Sequence, residues 1–168
     1  MTNEEAFLKF SGEKLTQLCG RIETCVAQLT PEQIWTRAAE NDNAVGNLVL
    51  HLAGNVRQWI LCGVGGKEDR RDRDSEFDAR SGENVLERLR PTVQEAVALF
   101  AALPHNKLSE RRTIQKHYDV TVLEAIYHVV EHFSMHTGQI IFATKLLTGE
   151  DLGFYGYLKS AKVRGERP

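Results

Sequence analysis

The chain reads as an all-α protein, an up-and-down four-helix bundle with a long loop connection. Three observations carry that expectation. Four stretches repeat apolar residues at helical spacing, several of them open on a capping signature, and no stretch makes a convincing strand or internal repeat. At 168 residues, against about 150 for a typical domain, residues 1–168 are expected to form a single domain.

The first helix follows Thr2, a candidate N-cap, and carries Phe7, Phe10, Leu18, Ile22, Val26 and Leu29 on its apolar side. It stops at Thr30-Pro31-Glu32-Gln33, where Thr30 can cap, Pro31 suits a first helical position and Gln33 completes a capping box for a short connector helix with Trp35. The second helix runs from about Asn43 to Gly63 on Leu48, Val49, Leu52, Val56, Trp59 and Ile60. Between Lys67 and Glu83 both charge signs interleave, with Phe77 the one large apolar residue, so this stretch is expected to be a solvated loop. Val85 to Leu103 predict a third helix, with Pro91 kinking it or displacing its start. Residues Pro104 to Asp119 are mixed and polar. Thr121-Val122-Leu123-Glu124 is another capping box, and the fourth helix runs from there to about Thr148, roughly 40 Å at 1.5 Å per residue, before Gly149 ends it.

Composition excludes several classes of function. Twenty-one Lys and Arg against twenty-three Asp and Glu give a net charge of −2, without the basic excess that a nucleic-acid binder needs. The longest apolar run, Ala96 to Leu103, is far shorter than the ~20 residues of a membrane span, so no membrane partner is expected. Glu4 and Glu5 stand where a signal peptide would carry basic residues, and Cys19, Cys25 and Cys62 form no CxxC. A cytoplasmic protein with reduced thiols is the expectation, and Cys62 is read as a small buried hydrophobe.

The histidines carry the chemistry. His128, His132 and His136 lie at i, i+4 and i+8 on the fourth helix, and His51 lies in the second. On a projection at about 100° per residue, His132 and His136 border the core stripe, while His128 turns outward toward Glu124, with which it can pair. His51 borders the core stripe of its own helix, in a polar row with Asn47 and Asn55. Such a row beside an apolar face costs stability unless its members bond to each other, to water or to an ion. Facing helices of a bundle can converge these rows, and His51, His132 and His136 would then offer three neutral nitrogens suited to zinc, nickel or a similar divalent metal. Asn47, Asn55, His128 and Gln139 are the candidates to orient those ligands or bound solvent. The order Glu131-His132 reverses the HExxH of metalloproteases, so that chemistry loses its usual warrant.

The segments Gly46-Asn47-Leu48-Val49-Leu50-His51-Leu52-Ala53-Gly54-Asn55 and Val130-Glu131-His132-Phe133-Ser134-Met135-His136-Thr137-Gly138-Gln139-Ile140 resemble the DinB-like (YfiT-like) metalloenzyme superfamily. The likeness extends to Asp72–Phe77 and to Gly149–Tyr155. It implies a four-helix bundle, commonly a homodimer, with a divalent metal on a histidine triad that falls here on His51, His132 and His136. Some members of that superfamily are transferases using bacillithiol, mycothiol or glutathione-like thiols, and others are described as hydrolases, so membership alone assigns no reaction. A dimer would also cover the aromatic tail Phe154, Tyr155 and Tyr157.

Two functions follow as expectations. One is an enzyme in which a metal activates a low-molecular-weight thiol or water toward a small-molecule substrate, with no catalytic side chain assigned. The other is a non-catalytic bundle in stress-related binding or interaction, whose histidines only staple the second and fourth helices. An open fourth coordination position favours the first, and a fourth protein ligand the second.

Overall fold

A computed structural model describes residues 1–82 and 84–156. Helix α1 (Asn3–Ala27) starts at Thr2, whose side chain and Glu5 form a reciprocal capping box. The connector α2 (Pro31–Ile34) has the same box from Thr30 and Gln33. Helix α3 (Val45–Val56) continues as a π-helical stretch, Arg57–Val64. Then come α4 (Arg73–Asp78), α5 (Leu86–Ala102), a 3-10 turn (His105–Ser109), strands β1 (Arg111–Ile114) and β2 (Tyr118–Thr121), and α6 (Val122–Thr148). Thr121 and Glu124 cap α6, and Gly149 closes it at φ 74°, a left-handed position that glycine takes without a Cβ penalty.

Four long helices make an all-α bundle, as their periodicity predicts. Helix α1 packs on α5 and α6, and α3 packs on the same two, so α1 and α3 occupy opposite corners. Leu15, Ile22, Leu52, Ile60, Leu89, Phe100, Ile126, Phe133 and Ile140 are fully buried between them. Burying one such side chain contributes about 1.5–3 kcal/mol, which is why the apolar stripes decide the assembly.

Two expectations are corrected. The polar stretch 104–119 does hold strand structure: β1 and β2 form an antiparallel hairpin pairing Arg111 with Thr121 and Ile114 with Tyr118. Its turn places Gln115 and Lys116 at positive φ, and Ile114 anchors it by burial in the core. The stretch from Lys67 to Glu83 is not simply a solvated loop, because it contains α4 and two buried charges, Arg71 and Glu76. Asp72 caps α4 by accepting from the Ser75 backbone N–H, which is the local reason a helix starts within so charged a run. Of the two places left open for Pro91, the structure takes the one inside α5.

The tail also behaves differently. Phe154 is half-buried against the core, with Arg21 over its ring and that of Tyr155 at 5.5 and 5.3 Å, so part of the expected apolar exposure is covered within the chain. Tyr157 lies outside the described residues. Large apolar exposure instead falls on α6, at Met135, Phe142 and Leu146. Among the described residues, no helix is long and apolar enough to cross a membrane.

Candidate metal centre

The row His51, Asn55, Trp59 on α3 and its π-helical extension faces the ladder His128, His132, His136 on α6. The rings of His51, His132 and His136 converge, each offering one ring nitrogen, and these three atoms lie within 4.8 Å of one another. His132 Nε2 is 3.2 Å from His51 Nε2 and 3.2 Å from His136 Nε2. The rings that converge are the three that the projection places beside the core stripes. The fourth histidine of the rows, His128, stands apart. Its ring stacks on Trp59 at 4.1 Å between centroids, and it makes no pair with Glu124, whose carboxylate is taken up by Thr121 at the helix N-terminus.

The outer ring atoms bear on the tautomers. His51 Nδ1 is 3.0 Å from Glu76 Oε2 and 3.1 Å from Arg71 Nη2; the carboxylate can only accept, so with its proton on Nδ1 His51 donates to Glu76 and leaves a lone pair on Nε2. His136 Nδ1 lies 2.5 Å from Gln139 Oε1 and donates in the same way. Two lone pairs thus point at His132 Nε2. His132 has one proton to share and can answer only one of them, while its Nδ1 is buried without a hydrogen-bond partner. Three imidazole nitrogens at such spacing suit a cation. Tetrahedral zinc with Zn–N of about 2.0–2.1 Å needs neighbouring nitrogens about 3.3 Å apart, close to the two 3.2 Å separations, while all three atoms lie within 4.8 Å of one another. The donor set fits a zinc-class divalent ion.

Glu76 and Arg71 are the functional residues that the charge pattern concealed. Arg71 grips the Glu76 carboxylate in a two-pronged pair, Nε to Oε1 at 2.7 Å and Nη2 to Oε2 at 2.8 Å. Both side chains are more than nine-tenths buried. Burial alone pushes the Glu76 carboxyl up, but hydrogen bonds from Arg71 and His51 and their charges outweigh it and hold it below the ordinary 4.5. Phe77, next along α4, packs on the His51 ring at 4.7 Å. The Asp72 cap and that single apolar side chain were the signals in the sequence that α4 docks here.

The other candidates divide. Asn47 is fully buried and does not touch the triad; it accepts from Arg37 and from the Ala44 backbone N–H, and donates to the carbonyls of Glu76 and Ala79. It positions Glu76 by holding the backbone of α4. Asn55 lines a cavity of about 430 Å³ beside His51 and His132. Cys62 is half-buried and donates to the Glu68 carbonyl; burial raises its thiol pKa, and burial with Glu23 nearby pushes Cys19 up to about 11. Neither is poised as a nucleophile.

Burial, with His136, His51, His128 and Arg71 around it, lowers the His132 pKa from 6.5 to about 3, and burial lowers His128 and His136 too. In the unfolded chain position 132 protonates near pH 6.5, whereas the folded chain refuses that proton until about pH 3. That stability is fully present above 6.5 and is lost as pH falls toward 3. Glu76 acts in the same direction at lower pH. Urea midpoints of metal-free protein should therefore fall between pH 7.5 and 5, and less steeply for His132→Gln; parallel slopes for the two proteins would contradict this assignment.

A bundle with a three-histidine centre oriented by a buried carboxylate is the class of protein that fold and site define. The chain belongs to the family described as "Protein of unknown function (DUF1572)", which matches residues 3–157. Among solved structures it is similar to one described as the conserved protein of locus from Enterococcus faecalis, with a TM-score of 0.70 and 19% identity over 84% of this chain and 96% of that one. Likeness at that identity shows the fold alone. No curated protein matches the chain.

Proposed function

We propose that this protein is a divalent-metal-dependent enzyme of the DinB-like (YfiT-like) kind, activating a low-molecular-weight thiol or water as a transferase or hydrolase. The observation that carries the reading is the convergence of His51, His132 and His136, the first two of them at the wall of a cavity, with no fourth His, Cys, Asp or Glu joining them among the described residues. Zinc or nickel held there would supply a Lewis acid that lowers the pKa of a thiol or water.

The side chains supply the rest. Burial disfavours protonation of His132 and His136, and Glu76 beside His51 Nδ1 turns the His51 Nε2 toward the other two rings. Arg71 neutralises Glu76, so the pair adds no net charge beside the ligands. Trp59, Tyr118 and His128 form an aromatic side of the cavity.

In thiol transfer to a chloro-substituted aromatic electrophile, sulfur forms the new C–S bond, chloride leaves with the bonding pair and the thiol proton passes to bulk base. Zinc-loaded protein should accelerate this for bacillithiol, mycothiol, glutathione or coenzyme A, with a rate that rises with pH until the thiol is ionised. Chelation should remove the excess rate. Failure with all four, metal verified, would turn the reading to hydrolysis, or to a bundle whose metal only joins α3 to α6, a role favoured by the histidines coming from both helices.

Reduced Cys19, Cys25 and Cys62 accord with a cytoplasmic setting. The exposed Met135, Phe142 and Leu146 on α6 support a homodimer, for which light scattering should give twice the 19.0 kDa chain mass.

A further inference from the structure

Between α3, α4 and α5 lies a second cavity, of about 440 Å³, whose lining shares only Arg71 with the cavity beside the triad. Four arginines line it, Arg57, Arg70, Arg71 and Arg88, against two carboxylates, Asp72 and Glu76. The chain as a whole carries a net charge of −2, so this gathering of positive charge runs against its composition. Some of these groups are already committed. Arg71 and Glu76 hold each other, and Asp72 accepts from the Ser75 backbone N–H. Arg70 pairs with Glu68 at 2.6 Å, with both side chains solvated, a contact that contributes little and that a competing anion can displace.

Arg57 and Arg88 differ from these. Both are exposed to solvent, and neither guanidinium makes a hydrogen bond or an ion pair with the described residues. They reach one cavity from different elements, Arg57 from the start of the π-helical stretch after α3 and Arg88 from the first turn of α5. Like charges that the fold brings together oppose it unless an anion sits between them. The chemistry of the pair says which anion. Each guanidinium presents a planar fork of N–H donors that grips two oxygens at once. A carboxylate has two oxygens and one charge, which a single fork satisfies. A phosphate group has at least three terminal oxygens and a charge of about −1.5 to −2 near neutral pH, enough for two forks. The cavity is also roomier than a phosphate ion needs, and Leu50, Ala53 and Pro91 give it an apolar side on which an organic group can lie.

We propose that the valley between α3, α4 and α5 binds a phosphate group, free or carried by a small ester, with Arg57 and Arg88 as its clamps. No histidine lines this cavity, so binding here needs no metal.

The test is calorimetric titration at pH 7.5 and fixed ionic strength with inorganic phosphate, phenyl phosphate and benzoate. Phenyl phosphate should bind saturably and about tenfold tighter or more than benzoate, which has the same ring and one charge. Arg57→Gln and Arg88→Gln should each weaken it about tenfold or more, whereas Lys14→Gln, on α1 at the corner opposite α3, should leave it within about twofold. Both arginine variants should melt no lower than wild type, because each relieves a repulsion; a purely structural arginine would show the opposite. His132→Ala should keep full affinity, which separates this site from phosphate held by a metal at the triad. Tighter binding of phenyl phosphate than of inorganic phosphate assigns the site to an ester, and equal or weaker binding assigns it to free phosphate; either supports the site. Neither phosphate saturating below about 10 mM, benzoate binding as tightly as phenyl phosphate, an equal loss in Lys14→Gln, a lower melting point for both arginine variants, or loss of binding in His132→Ala would each overturn the proposal.

Discussion

His132→Ala should abolish zinc uptake, taking the metal from about one ion per chain to near none by elemental analysis, while His128→Ala keeps most of it. His132 is the middle nitrogen of the cluster, 3.2 Å from each of its neighbours, so its loss separates the other two donors. His128 touches the cluster only through its ring, 5.6 Å between centroids from His132. The effect on stability should be large. With free zinc a thousandfold above Kd, binding stabilises the wild type by about 4 kcal/mol, which for a chain of this length corresponds to a Tm rise of roughly 8–16 °C. In His132→Ala that rise should vanish while the circular dichroism of metal-free protein is unchanged. Equal losses of metal in the two variants would show that the ladder, rather than this triad, holds the ion.

Glu76→Ala should be the most damaging substitution outside the triad, because it strips two things at once. Arg71 would be left as a buried guanidinium without its counter-ion, a defect that costs about 3–5 kcal/mol and on the order of 10 °C in Tm. His51 would lose the acceptor of its Nδ1 proton, and losing such an outer partner lowers metal affinity about 10–100-fold. The two effects can be separated. Replacing the pair together, Arg71→Met with Glu76→Leu, removes the unpaired charge and should recover much of the stability, yet His51 remains unoriented and zinc affinity stays low. A double variant with wild-type zinc affinity would show that Glu76 serves only the ion pair. A Tm for Glu76→Ala within about 2 °C of wild type would show that water reaches Arg71.

Chain-local physics was enough to foresee the four long helices and which three histidines converge. A capping box such as Thr121 with Glu124 is spelled within four residues, and a stripe such as Val122, Ile126, Val129 and Phe133 fixes which way each neighbouring side chain faces. Because 3.6 residues make a turn regardless of the rest of the protein, His132 and His136 were separable from much of the ladder's outward face. His51 was legible for the same reason on α3. His128 was expected to turn outward and pair with Glu124, but its ring is half-buried against Trp59, which arrives from another helix.

The buried pair of Glu76 with Arg71 and the contact of Trp59 with His128 emerged only from packing. A run such as Asp69–Glu76 has the same composition whether water or protein surrounds it, and periodicity is silent on a helix of six residues. What buries the pair is a gap in α3: a Cβ on Gly54 would come within 1.9 Å of Glu76 Oε1 and 2.8 Å of Arg71 Nε, so only glycine lets α4 bring its carboxylate against His51. Local sequence sets the direction of a side chain along its own helix, but whether a charge is solvated, paired or poised against a ligand depends on residues 20 to 80 positions away. Those distances are closed by the bundle, and there the chemistry of this site was decided.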